Sequence, residues 1–108
     1  MKQAKTKFDR LKKFTLLIGL NDKDTKKQVV SFAKAKKLVL DTCGDCTISK
    51  AKGYYTHEDG TKVNENTLRV ELLFKADNEV LSMCKKLKKE LNQESIALSY
   101  SYEMSKLV

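Results

Sequence analysis

Thr47-Ile-Ser-Lys-Ala-Lys-Gly-Tyr-Tyr-Thr-His-Glu-Asp-Gly-Thr-Lys-Val-Asn-Glu-Asn-Thr-Leu-Arg-Val-Glu-Leu-Leu-Phe-Lys75 decides the fold, because two strand patterns face each other in it across a tight turn. Residues 47–56 form one strand. Glu58-Asp59-Gly60 supplies the turn, with a glycine where the backbone needs a positive φ. A second strand covers about 67–75, where Leu68, Val70, Leu72 and Phe74 alternate with Arg69, Glu71, Leu73 and Lys75, the period of a half-buried strand.

Upstream, Phe14-Thr-Leu-Leu-Ile-Gly-Leu20 reads as a buried strand. Asn21, Asp22 and Asp24 can accept from the free N–H groups of a first helical turn, which predicts a helix to about Leu38. That helix would turn Val29, Phe32, Ala33 and Leu38 inward and Lys26, Lys27, Lys34, Lys36 and Lys37 outward. Cys43-Gly-Asp-Cys46 is a turn. Downstream, Asp77 and Asn78 cap a second helix with Val80, Cys84, Leu87 and Leu91 on one apolar stripe, and 95–104 alternates as a last strand. The order is strand, helix, strand, strand, helix, strand. With right-handed crossovers it predicts an α+β, ferredoxin-like βαββαβ sandwich: an antiparallel sheet ordered 4-1-3-2 with both helices on one face. Residues 1–13, rich in lysine, are expected as a basic N-terminal arm, and 14–108 as a single ferredoxin-like domain.

Composition narrows the function classes. The longest apolar runs, such as Leu16-Leu17-Ile18, fall far short of the ~20 residues a membrane span needs. Three cysteines are an odd number, against a disulfide framework and in favour of a reducing, cytoplasmic setting. The formal charge of +8, from 22 basic and 14 acidic residues, favours acidic partners, nucleic acid among them. Lysine supplies almost all of it, a point charge without the bidentate fork of arginine.

Two binding surfaces follow. One is the basic helix face: Lys26, Lys27 and Lys34 with Lys85, Lys86, Lys88 and Lys89. The other is the hairpin edge at Tyr55, His57 and Glu58. The uncovered sheet face should carry Leu17, Tyr55, Arg69 and Leu73 among small residues, a platform suited to a homodimer contact or a docked partner. It lacks the aromatics on central strands that base stacking requires.

Catalytic signatures are sparse. Cys43-x-x-Cys46 resembles half a zinc site or a redox pair, but it follows a helix C-terminus, and Cys84 belongs to an apolar stripe. Asp22, Asp24 and His57 lie at one edge of the sheet and could hold a metal for phosphodiester hydrolysis, yet capping and turn roles already explain the carboxylates. Asn64-Glu-Asn-Thr67 has no propensity account; side-chain bonds to backbone, or a binding role, would explain it. With one histidine there is no nucleophilic triad. No catalytic residue, metal or cofactor is assigned.

Phe14–Lys26, Ala51–Gly60, Glu65–Phe74 and Leu91-Asn-Gln-Glu-Ser95 together resemble a group of small uncharacterised proteins of phages and conjugative elements of low-GC Gram-positive bacteria. The resemblance implies an anti-defence setting, anti-CRISPR proteins included. The expectation is a non-enzymatic inhibitor or modulator of a host protein or nucleoprotein complex. A small basic nucleic-acid-binding regulator is the first alternative and a metal-dependent nuclease the second.

Overall fold

The computed structural model describes residues 7–108. Its strands are β1 (Asp9–Gly19), β2 (Thr47–Thr56), β3 (Lys62–Leu72) and β4 (Ala97–Ser105), and its helices are α1 (Phe32–Cys43) and α2 (Asp77–Glu90). They form one antiparallel sheet in the order β2-β3-β1-β4, the expected ferredoxin-like arrangement. Leu16, Ile18, Leu68 and Val70 point to the helix side and bury against Val39, Val80 and Leu87. That face alone collects the apolar side chains because successive strand residues alternate between faces.

The sheet is sheared. β1 and β4 run together beyond β3 at one end, pairing Asp9 with Ser105 and Lys13 with Ser101. At the other end β2 and β3 run on past Gly19 as a two-stranded ribbon, pairing Gly53 with Glu65 and Thr56 with Lys62. Residues 9–13 of the expected basic arm are therefore strand, and residues 1–6 of it lie outside the described residues. Strand structure tolerates these lysines because each finds a partner: Lys12 reaches Asp77 at 2.8 Å and the Tyr100 ring, and Lys13 reaches Glu103 at 2.7 Å.

The first helix begins ten residues later than the caps at Asn21–Asp24 suggest. Asp22 does cap a turn, accepting from the N–H groups of Asp24 (2.9 Å) and Thr25 (3.0 Å). At Lys26 the backbone turns left-handed (φ 63°), which no right-handed helix can follow. Asn21 then bridges to Gln28, and α1 starts only after Ser31, whose hydroxyl accepts from the Lys34 N–H at 3.1 Å. Lys26 and Lys27 thus sit in a loop, Val29 is exposed rather than inward, and Ala35, Val39 and Cys43 form the buried stripe. Gly44, at φ 68°, ends the helix.

Two other boundaries move. β3 stops at Leu72 because Phe74 adopts φ 61° and faces solvent, so the alternation expected to 75 breaks there. The N-cap of α2 is Ala76 rather than Asp77 or Asn78. Its N–H donates to the Glu79 carboxylate, while Asp77 is free to hold Lys12. No helix among the described residues is long and apolar enough to cross a membrane.

Candidate functional site

The open face of the sheet carries a cleft of ≈ 440 Å³ where the β2–β3 ribbon leaves the four-stranded part. Its floor is made by two glycines, Gly19 and Gly53, on opposite sides of Glu65. Neither position has free room for a side chain with its neighbours where they stand. A Cβ on Gly19 would collide with the Glu65 carboxylate, and one on Gly53 would press to 3.1 Å from the Thr67 hydroxyl.

Glu65 is the centre of this arrangement. Its carboxylate accepts from the Asn21 N–H at 2.9 Å and from the Tyr55 hydroxyl at 3.1 Å. Burial, and then the Glu65 charge and hydrogen bond, push the Tyr55 hydroxyl above its ordinary pKa, so it stays a donor across the physiological range. The His57 ring stands edge-on to Tyr55 at 5.4 Å. The cleft wall is thus an aromatic pair beside an anchored carboxylate.

The opposite wall is the loop after β1. Asn92, at φ 48°, donates to Asp22 (2.8 Å) and to Asp24 (2.9 Å), and its carbonyl accepts from the Lys23 N–H at 3.0 Å. Gln93 donates to the Asn21 carbonyl at 2.7 Å. These bonds lash the loop to the turn after α2. The Asn92 amide, followed by the Thr25 and Asp24 N–H groups, holds the Asp22 carboxyl below its usual range. Lys23, Lys26 and Glu94 complete the rim.

Several sequence candidates meet here: Leu17, Tyr55, His57 and Lys26 line the cleft, whereas Glu58 lies at the exposed hairpin tip. Arg69 sits farther along the same face, ion-paired with Glu71 at 3.0 Å. Leu73 lies at the far end of the sheet, in a second groove with Leu11 and Phe74, so it shares no platform with Tyr55. Lys34 on α1 and Lys85, Lys86, Lys88 and Lys89 on α2 are exposed on the helix layer, away from the cleft; Lys27 is exposed beside it. Sequence reasoning did not assign Gly19, Glu65, Asn92 or Gln93. The unexplained polar run Asn64–Thr67 was the signal for Glu65.

The cysteines play no part at the cleft. Burial pushes the Cys43 thiol up to about 11, and raises those of Cys46 and Cys84, which disfavours thiolate chemistry. Among the described residues no set of three or more His, Cys, Asp or Glu side chains is arranged to hold a metal ion.

No family model matches the chain. No curated protein matches it either. Solved structures do. A phage SAM lyase in complex with S-methyl-5'-thioadenosine aligns at TM-score 0.68 with 16% identity, over 88% of this chain and 90% of that one. The apo form of a phage SAM lyase aligns at 0.66 with 18% identity, over 92% and 93%. CutA from Synechococcus elongatus PCC7942 aligns at 0.58 with 8% identity, over 91% and 80%. At these identities the likeness is one of fold. It agrees with the phage association expected from the sequence, and it corrects the expectation that the chain is not an enzyme. A fold of this kind also occurs in an enzyme that these solved structures show, so a missing nucleophile or metal motif does not count against catalysis.

Proposed function

We propose that the chain is a lyase that cleaves S-adenosylmethionine in the glycine-floored cleft. The observation that carries the reading is the Glu65 carboxylate, fixed over Gly19 by the Asn21 N–H and the Tyr55 hydroxyl in a fold shared with a lyase bound to S-methyl-5'-thioadenosine. The cleft falls in the size range of small-molecule sites.

The chemistry suits this residue set. Methylthioadenosine keeps the adenosine, the sulfur and the methyl group, so the bond broken joins sulfur to the four-carbon amino acid chain. Without water, the substrate's own α-carboxylate can displace the sulfur: a C–O bond forms at Cγ, the C–S electron pair returns to sulfur, and homoserine lactone leaves. The sulfonium is already an activated leaving group, so no protein nucleophile, general acid or metal is needed. What remains is to hold the substrate folded, where positioning alone supplies much of the acceleration.

The positive charge on sulfur vanishes in the reaction, so a carboxylate placed against it would favour the ground state. Glu65 therefore serves better as partner of the α-ammonium, whose charge persists throughout. Tyr55 keeps Glu65 in place, and its ring with His57 offers an apolar wall for the nucleoside.

Removing the methyl donor would act against any host system that depends on it. The anti-defence setting, with phages and conjugative elements of low-GC Gram-positive bacteria as carriers, thus remains part of the proposal, with chemistry in place of a blocked nuclease. The test is incubation of the purified chain with S-adenosylmethionine and chromatographic detection of products. Methylthioadenosine and homoserine lactone in equal amounts are expected. No turnover, together with no methylthioadenosine binding by calorimetry, overturns the reading.

A second reading rests on the exposed lysines of α2, Lys85, Lys86, Lys88 and Lys89, which face away from the cleft. They would bind nucleic acid or a nucleoprotein complex by phosphate contact, with affinity falling steeply as salt rises. Fluorescence anisotropy with labelled DNA and RNA at two salt concentrations tests it, and binding unchanged after all four are replaced by glutamine removes it.

A further inference from the structure

We infer that Lys26 determines specificity in the cleft by holding the α-carboxylate of the ligand's amino acid end; this rests on the reading of the cleft as a site for S-adenosylmethionine. Three observations converge on it. Lys26 lines the cleft on the wall formed by the loop after β1, across from the hairpin that carries Glu65. Its backbone is left-handed at φ 63°, a conformation that costs a non-glycine residue free energy and persists only where the surroundings impose it. They do impose it: the Lys26 N–H donates to the Asp22 carbonyl at 2.8 Å, the Asp22 N–H donates to the Lys27 carbonyl at 2.8 Å, and Asn92 clamps the Asp22 side chain. Any glycine would adopt this turn without strain, yet a lysine stands here.

The charges at the cleft match such a ligand. Among the described residues neither Lys23 nor Lys26 is ion-paired, although Asp22, Glu65 and Glu94 share the cleft with them. Asp22 is engaged by Asn92 and two backbone N–H groups. A site with an anchored carboxylate on one wall and an unpaired ammonium on the other fits a zwitterionic amino acid end, with its ammonium toward Glu65 and its carboxylate toward Lys26. A lysine can hold one carboxylate oxygen as a point charge and leave the other free to attack, which a bidentate arginine would not.

Calorimetry with three uncleaved ligands tests the assignment. Sinefungin keeps the amino acid end and a positive centre, decarboxylated S-adenosylmethionine lacks only the carboxylate, and methylthioadenosine lacks the whole tail. The wild-type chain should bind sinefungin about tenfold more tightly than the decarboxylated ligand, the worth of one charge-assisted contact. In Lys26→Gln and Lys26→Gly that preference should vanish, with methylthioadenosine affinity unchanged within about twofold, which also shows that each variant is folded. The glycine variant relieves the backbone and removes the ammonium, so loss of preference in both assigns the effect to charge. A preference that survives in both variants, or is missing from the wild type, overturns the role of Lys26 while leaving the lyase reading intact. Failure of the wild type to bind any of the three, with no turnover of S-adenosylmethionine, overturns both.

Discussion

At the β1–β4 end of the open face, Lys13 closes on Glu103 at 2.7 Å, and on β3 beside it Arg69 closes on Glu71 at 3.0 Å. At the hairpin end, Glu65 takes its bonds from a backbone N–H and a phenol, and Lys23 and Lys26 stay out of every ion pair among the described residues. Both ends are made of lysines and carboxylates, all on strands at the first and with the lysines in the loop after β1 at the second. Only one has its floor cleared by glycines and its loop clamped from a second element. A surface that satisfies its own charges has nothing left to offer a ligand; one that fixes a carboxylate by neutral donors keeps that charge available. The difference lies in how the charges are partnered, not in how many there are.

The sharpest way to break this comparison is Glu65→Gln. It removes the anchored charge while keeping the shape, and it should lower turnover of S-adenosylmethionine about 100-fold, the effect of losing a charge-assisted contact to the substrate, with an unchanged circular dichroism spectrum. Gly19→Ala comes next. The added methyl meets the far end of a flexible side chain, so the cost in stability stays at about 1 kcal/mol, the low end for overpacking, while the displaced Glu65 should weaken binding of sinefungin, which carries the α-ammonium, about tenfold. Equal binding by this variant would show that the position of Glu65 does not matter.

Asn92→Ala should release the loop wall and lower the melting temperature by about 5 °C, and Asn92→Gly by less, because glycine keeps the left-handed φ at no strain. A pH dependence accompanies it. The Asp22 carboxyl sits below its ordinary value of 3.8 in the folded chain, so its contribution to stability is present above that value and is lost as pH falls through the lower folded value. In Asn92→Ala the gap narrows, and thermal melts across pH 2 to 5 should show a flatter acid limb than the wild type. The smallest effect belongs to the other end of the face. Lys13→Gln should shift the melting temperature by no more than about 2 °C and leave turnover unchanged, since exposed ion pairs contribute little. A loss of activity there would mean that the two ends are not independent.

The fold was legible from local patterns. The hairpin signal at Glu58–Gly60 and the stripe Val80, Leu87 and Leu91, with Cys84 half-buried on it, lie where turn chemistry and period placed them, and Phe14–Leu20 is largely the expected strand, buried at alternate residues with Leu17 exposed. Asp22 shows the limit. Its capping chemistry was readable, since a side-chain oxygen ahead of free N–H groups acts over two or three residues, but the same chemistry serves an isolated turn as well as a helix. Here an isolated turn forms, and its carboxylate is held by Asn92, 70 residues away in the chain.

The site divides in the same manner. Tyr55 and Leu17 could be placed on one surface from alternation alone, and His57 beside Tyr55 at the hairpin edge. Glu65 could not be assigned, because its role comes from a neighbour on β1 with no side chain and from an N–H in another loop. The amino-acid sequence by itself determined the elements, their order and the face that would be buried, all consequences of interactions between residues close along the chain and of the strand period. Tertiary structure alone decided the shear of the sheet, the meeting of Gly19, Gly53 and Glu65, and the clamp on the loop that presents Lys26. Those depend on register and on contacts across four strands, where a shift of one residue would turn every side chain to the opposite face.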